Sequence, residues 1–128
     1  MTVANCSSLA DRLVAQADGS RTAEAAAVIL ARGVNGWLLE RVEHCIDDHL
    51  DVGRAAPDWE TLVASSGAMS GGERRLIAIA ASLGSSDATV NLDDALTGLD
   101  ELNGRLVTYA IAHAVGLEVG LLDEWRVT

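Results

Sequence analysis

Three runs in this 128-residue chain carry side chains whose types and spacing suit chemistry. The first is Ser70-Gly71-Gly72-Glu73, a hydroxyl, two glycines and a carboxylate. Glycines let an anion approach the backbone closely, and a helix opening at that point turns free N–H groups and a positive dipole end toward it. The second is the series Asp93, Asp94 and Asp100, a residue type that serves as cation ligand or general base. The third is His44-Cys45-Ile46-Asp47-Asp48-His49. There His44 with Asp48, and Cys45 with His49, stand at the i,i+4 spacing that can chelate zinc from a helix.

Each run also has a plain structural reading. Ser70 with Glu73 three residues later is a capping box, and Asp93 and Asp100 are ordinary helix N-caps. On one helix the two histidine-containing pairs sit about 100° apart and do not converge. Cys45 also falls on an apolar stripe, and a third ligand would have to come from Cys6 or His113, so no metal is expected. His113 is flanked by apolar residues and reads as a core histidine. The chain holds no G-x-S-x-G elbow, and the neighbours His44 and Cys45 point apart on a helix. The pairs Asp47/Asp48, Asp93/Asp94 and Asp123/Glu124 are adjacent and nothing more. No catalytic residue and no cofactor follow from these runs.

Taken together, residues 69–100 resemble the nucleotide-handling segment of ABC ATPases. Met69-Ser70-Gly71-Gly72-Glu73 is similar to that family's signature motif, with Met in place of Leu. Val90-Asn91-Leu92-Asp93-Asp94 stands where the Walker B strand and its acidic pair belong, and Ala95 to Asp100 resembles the D-loop. The resemblance implies that Ser70, Gly71 and Gly72 meet a γ-phosphate presented by a partner subunit. It implies that Asp93 holds the magnesium water, that Asp94 takes the place of a catalytic glutamate and that Asp100 lies at a dimer seam. The chain has no G-x-x-x-x-G-K-[ST] loop, no lysine at all and no switch histidine near Leu121 to Trp125. On this resemblance the protein is at most an accessory to a nucleotide bound by another chain. Residues 58–116 also resemble, more loosely, small proteins of actinobacteria and their phages, with Asp58-Trp59-Glu60 and Ala112-His113-Ala114 as further points of likeness. That likeness carries no activity and favours a helix over residues 93–99.

Composition narrows the field. The net charge is −10 and all nine basic residues are Arg. A direct nucleic-acid binder needs a basic face, and an anionic membrane surface repels such a chain. Two cysteines, Cys6 and Cys45, are too few for a disulfide scaffold, and neither a basic leader nor a membrane-length apolar run is present. The expected location is the cytosol of a bacterium or a phage-infected host. Apolar residues make up 49% of the chain, mostly Ala and Leu, with no Phe and three Trp. Such residues favour close-packed helices.

The elements expected to position these runs are therefore helical: a compact, mainly α, multi-helix single domain over residues 1–128. Apolar spacing predicts a helix from Ser7 to about Asp18, and a central one over Ala23–Ala31 capped by Thr22 and stopped by Gly33. It predicts an amphipathic helix from an Asn35 cap to about Asp51, with Leu38, Leu39, Val42, Cys45, Ile46 and Leu50 as its apolar stripe. After a connector over 53–57, Pro57 or Asp58 begins a short helix carrying Trp59, Leu62 and Val63, and a fifth runs from Ser70 to Leu83. Residues 88–92 read either as a short strand or as the lead-in to a helical turn over 92–99. Asp100 caps a last helix to Ala114 that turns Leu102, Leu106, Val107, Tyr109 and Ala110 inward, and a terminal strand near 117–122 is the other candidate strand.

The function expected is non-catalytic binding of another protein, self-association included, by a phage-encoded or accessory bacterial protein. Trp37, Trp59 and Trp125 are the candidate anchors. In a chain without Phe, Trp37 and Trp59 read first as core bulk, and Trp125 reads equally as core or interface. The alternative is a nucleotide-linked partner of an ABC-type ATPase, contributing the Ser70 helix start. A third is mimicry of nucleic acid by the acidic surface, which the scattering of Arg among the acids weakens.

Overall fold

The central helix starts two residues earlier than its pattern predicts: Ser20, not Thr22, is the N-cap of α2 (Arg21–Arg32), its hydroxyl accepting from the Ala23 N–H. The structure, a computed structural model, describes residues 8–117. Six consecutive residues of α2, Ala25 to Leu30, are buried. Three of them are alanines, which lets neighbouring backbones approach from several sides. α5 (Gly71–Gly84) and α7 (Glu101–Ala114) pack along α2, and α1 (Leu9–Ala17) lies against it as well. Leu13, Ile29, Leu30, Leu38, Leu62, Leu76, Ile77 and Val107 fill one core between these helices. The fold is mainly α, as the composition predicts.

Capping chemistry fixes most helix starts. Ser8 and Asp11 form a capping box on α1, and Asp58 caps α4 (Trp59–Ser65) through the Thr61 N–H. Asp100 caps α7 through the Asn103 N–H. Residues 88–91 form no strand. Asn91 caps α6 (Leu92–Thr97), which leaves Asp93 and Asp94 in that helix's first turn and makes neither of them the cap. Leu102 is exposed rather than inward, whereas Leu106, Val107 and Ala110 are buried.

The long third helix does not form. α3 covers only Trp37–Val42, and a 3-10 turn over 43–45 then leads into β1 (Ile46–His49). β1 pairs antiparallel with β2 (Arg54–Pro57), Ile46 opposite Pro57 and His49 opposite Arg54, so the expected connector over 53–57 is itself a strand. Gly53, at φ 71, supplies the left-handed corner of the hairpin. The stripe therefore breaks: Leu38, Leu39, Val42 and Cys45 reach the core, while Leu50 faces solvent. Nor does Asn35 cap a helix, since it sits in the left-handed region at φ 56. The terminal strand expected near 117–122, together with Cys6 and Trp125, falls outside the described residues, apart from Leu117.

Contacts with α1 explain why the hairpin wins over a helix. Arg12 is buried and donates two hydrogen bonds to Asp48, Nε to Oδ1 at 2.7 Å and Nη2 to Oδ2 at 2.8 Å. Arg54 Nη1 donates to the Ala15 carbonyl at 2.9 Å, and Ala55 is buried beneath the hairpin. A bidentate charged pair of this kind selects geometry as much as energy. The hydrogen bonds from Arg12 hold the Asp48 carboxyl below its ordinary value of 3.8. Because the folded carboxyl titrates lower than the unfolded one, the pair stabilises the fold above that ordinary value and is lost as pH falls through the folded value. We expect the thermal midpoint of wild type to exceed that of Asp48→Asn at neutral pH and the gap to close below roughly pH 4. A gap independent of pH across that range would show that the carboxylate charge is not what holds the hairpin.

Candidate functional site

The signature-like run is built as a helix start. Ser70 Oγ accepts from the Glu73 N–H at 3.3 Å, while Glu73 Oε1 accepts from the Ser70 N–H at 3.2 Å and from its hydroxyl at 3.0 Å. Glu73 is buried, and its other carboxylate oxygen lies 3.0 Å from Arg41 Nε on α3. The hydroxyl and the carboxylate at this helix start thus satisfy each other, and the carboxylate fastens α5 to α3. Ser70→Ala should lower stability by about 1 kcal/mol in a denaturant titration, the usual loss for a cap. A loss under a few tenths would mean that Glu73 alone satisfies the turn.

Arg75 joins this region to α6. Its Nε donates to the Asp94 carbonyl at 3.1 Å, and its guanidinium lies against the Cα atoms of both Gly71 and Gly98. A methyl group on Gly71 would stand 2.8 Å from Arg75 Nη1, and one on Gly98 would overlap the guanidinium itself. A side chain at position 98 would thus displace the Arg75 guanidinium from its place beside the Asp94 carbonyl. In the sequence, Arg75 is an ordinary residue of the fifth helix. Gly71 stands one turn before it on α5, but its other partners, the Asp94 carbonyl and Gly98, are reached only by folding. Between α5 and α6 lies an open groove of about 390 Å³, lined by Arg74, Arg75, Asn91, Asp94 and Thr97 among others.

Asp100 belongs to a second fastening. Its two carboxylate oxygens accept from the Asn103 backbone N–H at 2.8 Å and from Asn103 Nδ2 at 3.3 Å. The buried Asn103 turns its Oδ1 to accept from the Val34 N–H at 2.9 Å. Gly71 and Asp94 are thus drawn together around Arg75, Asp100 is joined to Asn103, and Ser70 is paired with Glu73. Gly72 sits within the first turn of α5, and Asp93 stands exposed on α6. Asp93 and Asp94 do not follow a strand, so a Walker B geometry is absent.

The other candidates fall elsewhere. The helical spacing that would pair His44 with Asp48 and Cys45 with His49 does not exist, since residues 46–49 are extended. Asp48 is held by Arg12, and the buried Cys45 has its Sγ 3.7 Å from Ser65 Oγ. Among the described residues no three His, Cys, Asp or Glu side chains gather as a metal site. His113 is half-buried, its Nε2 lying 2.7 Å from Glu24 Oε1 on α2. Trp59 packs partly buried against the core, as expected, but Trp37 does not: 60% of it is exposed. Trp37 opens α3 directly after the left-handed turn, which aims the indole away from the apolar stripe that follows it. No helix among the described residues is long and apolar enough to cross a membrane. The chain matches no protein-family model, no curated protein and no solved structure.

Proposed function

We propose that the chain works by binding another protein and carries out no reaction of its own. The observation that carries this reading is the mounting of Trp37. Val34 and Asn35, two consecutive non-glycine residues, sit in the left-handed region at φ 52 and φ 56, and Gly36 follows at φ 89. For a β-branched residue that conformation is a rare one, costing about 1–3 kcal/mol. It persists where the surroundings over-determine it. The hydrogen bond from Val34 to Asn103, itself fixed by Asp100, is that constraint.

The consequence is a large amphipathic ring held out in solvent on a stiff support. Trp has few rotamers to lose on binding and dominates the energetics of many interfaces. The turn carries the chain into α3, whose Leu38, Leu39 and Val42 are buried, and it sets Trp37 at the outer edge of that packing as a preorganised contact. The acidic, lysine-free chain directs that contact toward proteins rather than nucleic acid or anionic lipid.

Replacing Trp37 with a photo-crosslinking phenylalanine analogue, in the cells that make the protein, tests the reading. We expect a discrete protein adduct at position 37 and none from the same analogue at exposed Thr108 on α7. Trp37→Ala should weaken the captured complex by at least about ten-fold and change stability by less than about 0.5 kcal/mol. Adducts equal at both positions, or none at position 37, would refute the proposal.

A further inference from the structure

α6 is oriented against the ordinary hydrophobic pattern. Its one buried side chain is Ala95, whereas Leu92 and Leu96 are 53% and 43% exposed. The two leucines stand at i,i+4, so they stack as one apolar stripe along the outer side of the helix. A helix that buries an alanine and shows two leucines has an apolar face without a partner among the described residues. The face is held in place: Asn91 caps the helix, Thr97 Oγ1 donates to the Asp93 carbonyl at 2.7 Å, and Arg75 ties the Asp94 carbonyl to α5. Leu102, at the start of α7, is 44% exposed beyond the same corner.

Charge indicates what covers it. Residues 92–102 hold four carboxylates, Asp93, Asp94, Asp100 and Glu101, and no basic residue. Asp93 lies next to Leu92 on the exposed side of the helix, and its carboxylate has no hydrogen-bonding partner among the described residues. Arg105 offsets Glu101 from the next turn at 3.4 Å, and Asp94 lines the groove on the opposite side of α6 beside Arg74. A second copy seated on this stripe by two-fold symmetry would set Asp93 near its own counterpart, and like charges at an interface are unfavourable. An anionic bilayer meets the same repulsion.

Building on the protein-binding reading above, we infer that the Leu92–Leu96 stripe of α6 receives a cationic amphipathic helix of a partner protein. The leucines take the apolar side of that helix, and Asp93 pairs with its Lys or Arg. This is a helix laid on an apolar face, read through anchors at i and i+4.

The test titrates the purified chain with a synthetic Leu/Lys peptide of helical apolar spacing, and with a scrambled peptide of identical composition, following backbone amide shifts by NMR. The patterned peptide should bind at least about ten times tighter than the scrambled one, with shifts centred on residues 91–97. Leu92→Ser with Leu96→Ser should remove that preference at an unchanged thermal midpoint, and Asp93→Asn should weaken binding and flatten its salt dependence. Equal affinity for both peptides, shifts centred elsewhere, tighter binding to anionic vesicles than to the peptide, or dimerisation abolished by the double serine variant would each overturn the inference. If it fails while the adduct at position 37 still forms, protein binding stands and only this surface is withdrawn; loss of both removes the wider reading.

Discussion

Gly84→Ala should destabilise the protein by about 1–3 kcal/mol, although the substitution ordinarily favours a helix. The new methyl group would lie 2.5 Å from Trp59 Cζ2 and 3.1 Å from the Ala26 Cβ. Neither is the end of a flexible chain: one belongs to a rigid, partly buried ring and the other to the central helix. α5 must therefore move away from α2 or from α4, and well-packed interiors resist such shifts. The helix-propensity gain, about 1 kcal/mol at most, works in the opposite direction and is outweighed. A thermal melt should show the midpoint falling by roughly 2–8 °C for each kcal/mol lost in a chain of this size. In a Trp59→Ala background the loss caused by the same change should shrink, because the ring is gone and only the 3.1 Å approach to Ala26 remains. An unchanged midpoint in wild type would mean that Trp59 does not lie over the end of α5.

Asn103→Leu should have an effect of similar size through the opposite mechanism, the loss of a hydrogen bond without loss of volume. The substitution removes the acceptor for the Val34 N–H and the Nδ2 donor to Asp100. A part-buried donor left unsatisfied costs about 1–3 kcal/mol. The strained left-handed turn then also loses the bond that over-determines it. Denaturant titration should show that loss, and amide exchange should quicken at Val34 and Asn35 before it does in α2. Val34→Gly should offset part of the damage, since glycine accepts φ 52 without penalty. Slowed or unaltered exchange across the turn would show that Asn103 does not hold it.

These two sites also mark how far the sequence could be read. Helices that start at a Ser or Asp cap and carry a clear apolar period, such as those after Ser70 and Asp100, are legible because the information is local. The failure over 43–57 is physical. Cys45, Ile46 and Leu50 continue a helical stripe on paper, but the Arg12–Asp48 pair, the Arg54 bond to α1 and the Gly53 corner come from distant or conformational sources and favour a hairpin. At the start of α2 two hydroxyl residues stand close together, Ser20 and Thr22, and pattern alone does not choose between them. At residues 88–97 the choice between strand and helix is made by the Asn91 cap.

Site residues divide in the same way. The capping role of Ser70 and Glu73 and the cap at Asp100 are visible in their spacing. The exposure of Trp37 is not, because an indole suits core and surface alike. Neither is the strain at Val34, since no local pattern asks a β-branched residue to take a positive φ. Arg75 is equally silent in sequence: the two glycines that accommodate it lie at positions 71 and 98, far apart along the chain.

Amide hydrogen exchange on the native complex, compared with the free chain, tests the central claim most directly. The account predicts slowed exchange over residues 34–41, behind Trp37, with α1 and the 46–57 hairpin unchanged. Protection confined to α1 and the hairpin, or a chain recovered from its cells only as a free monomer, would contradict it.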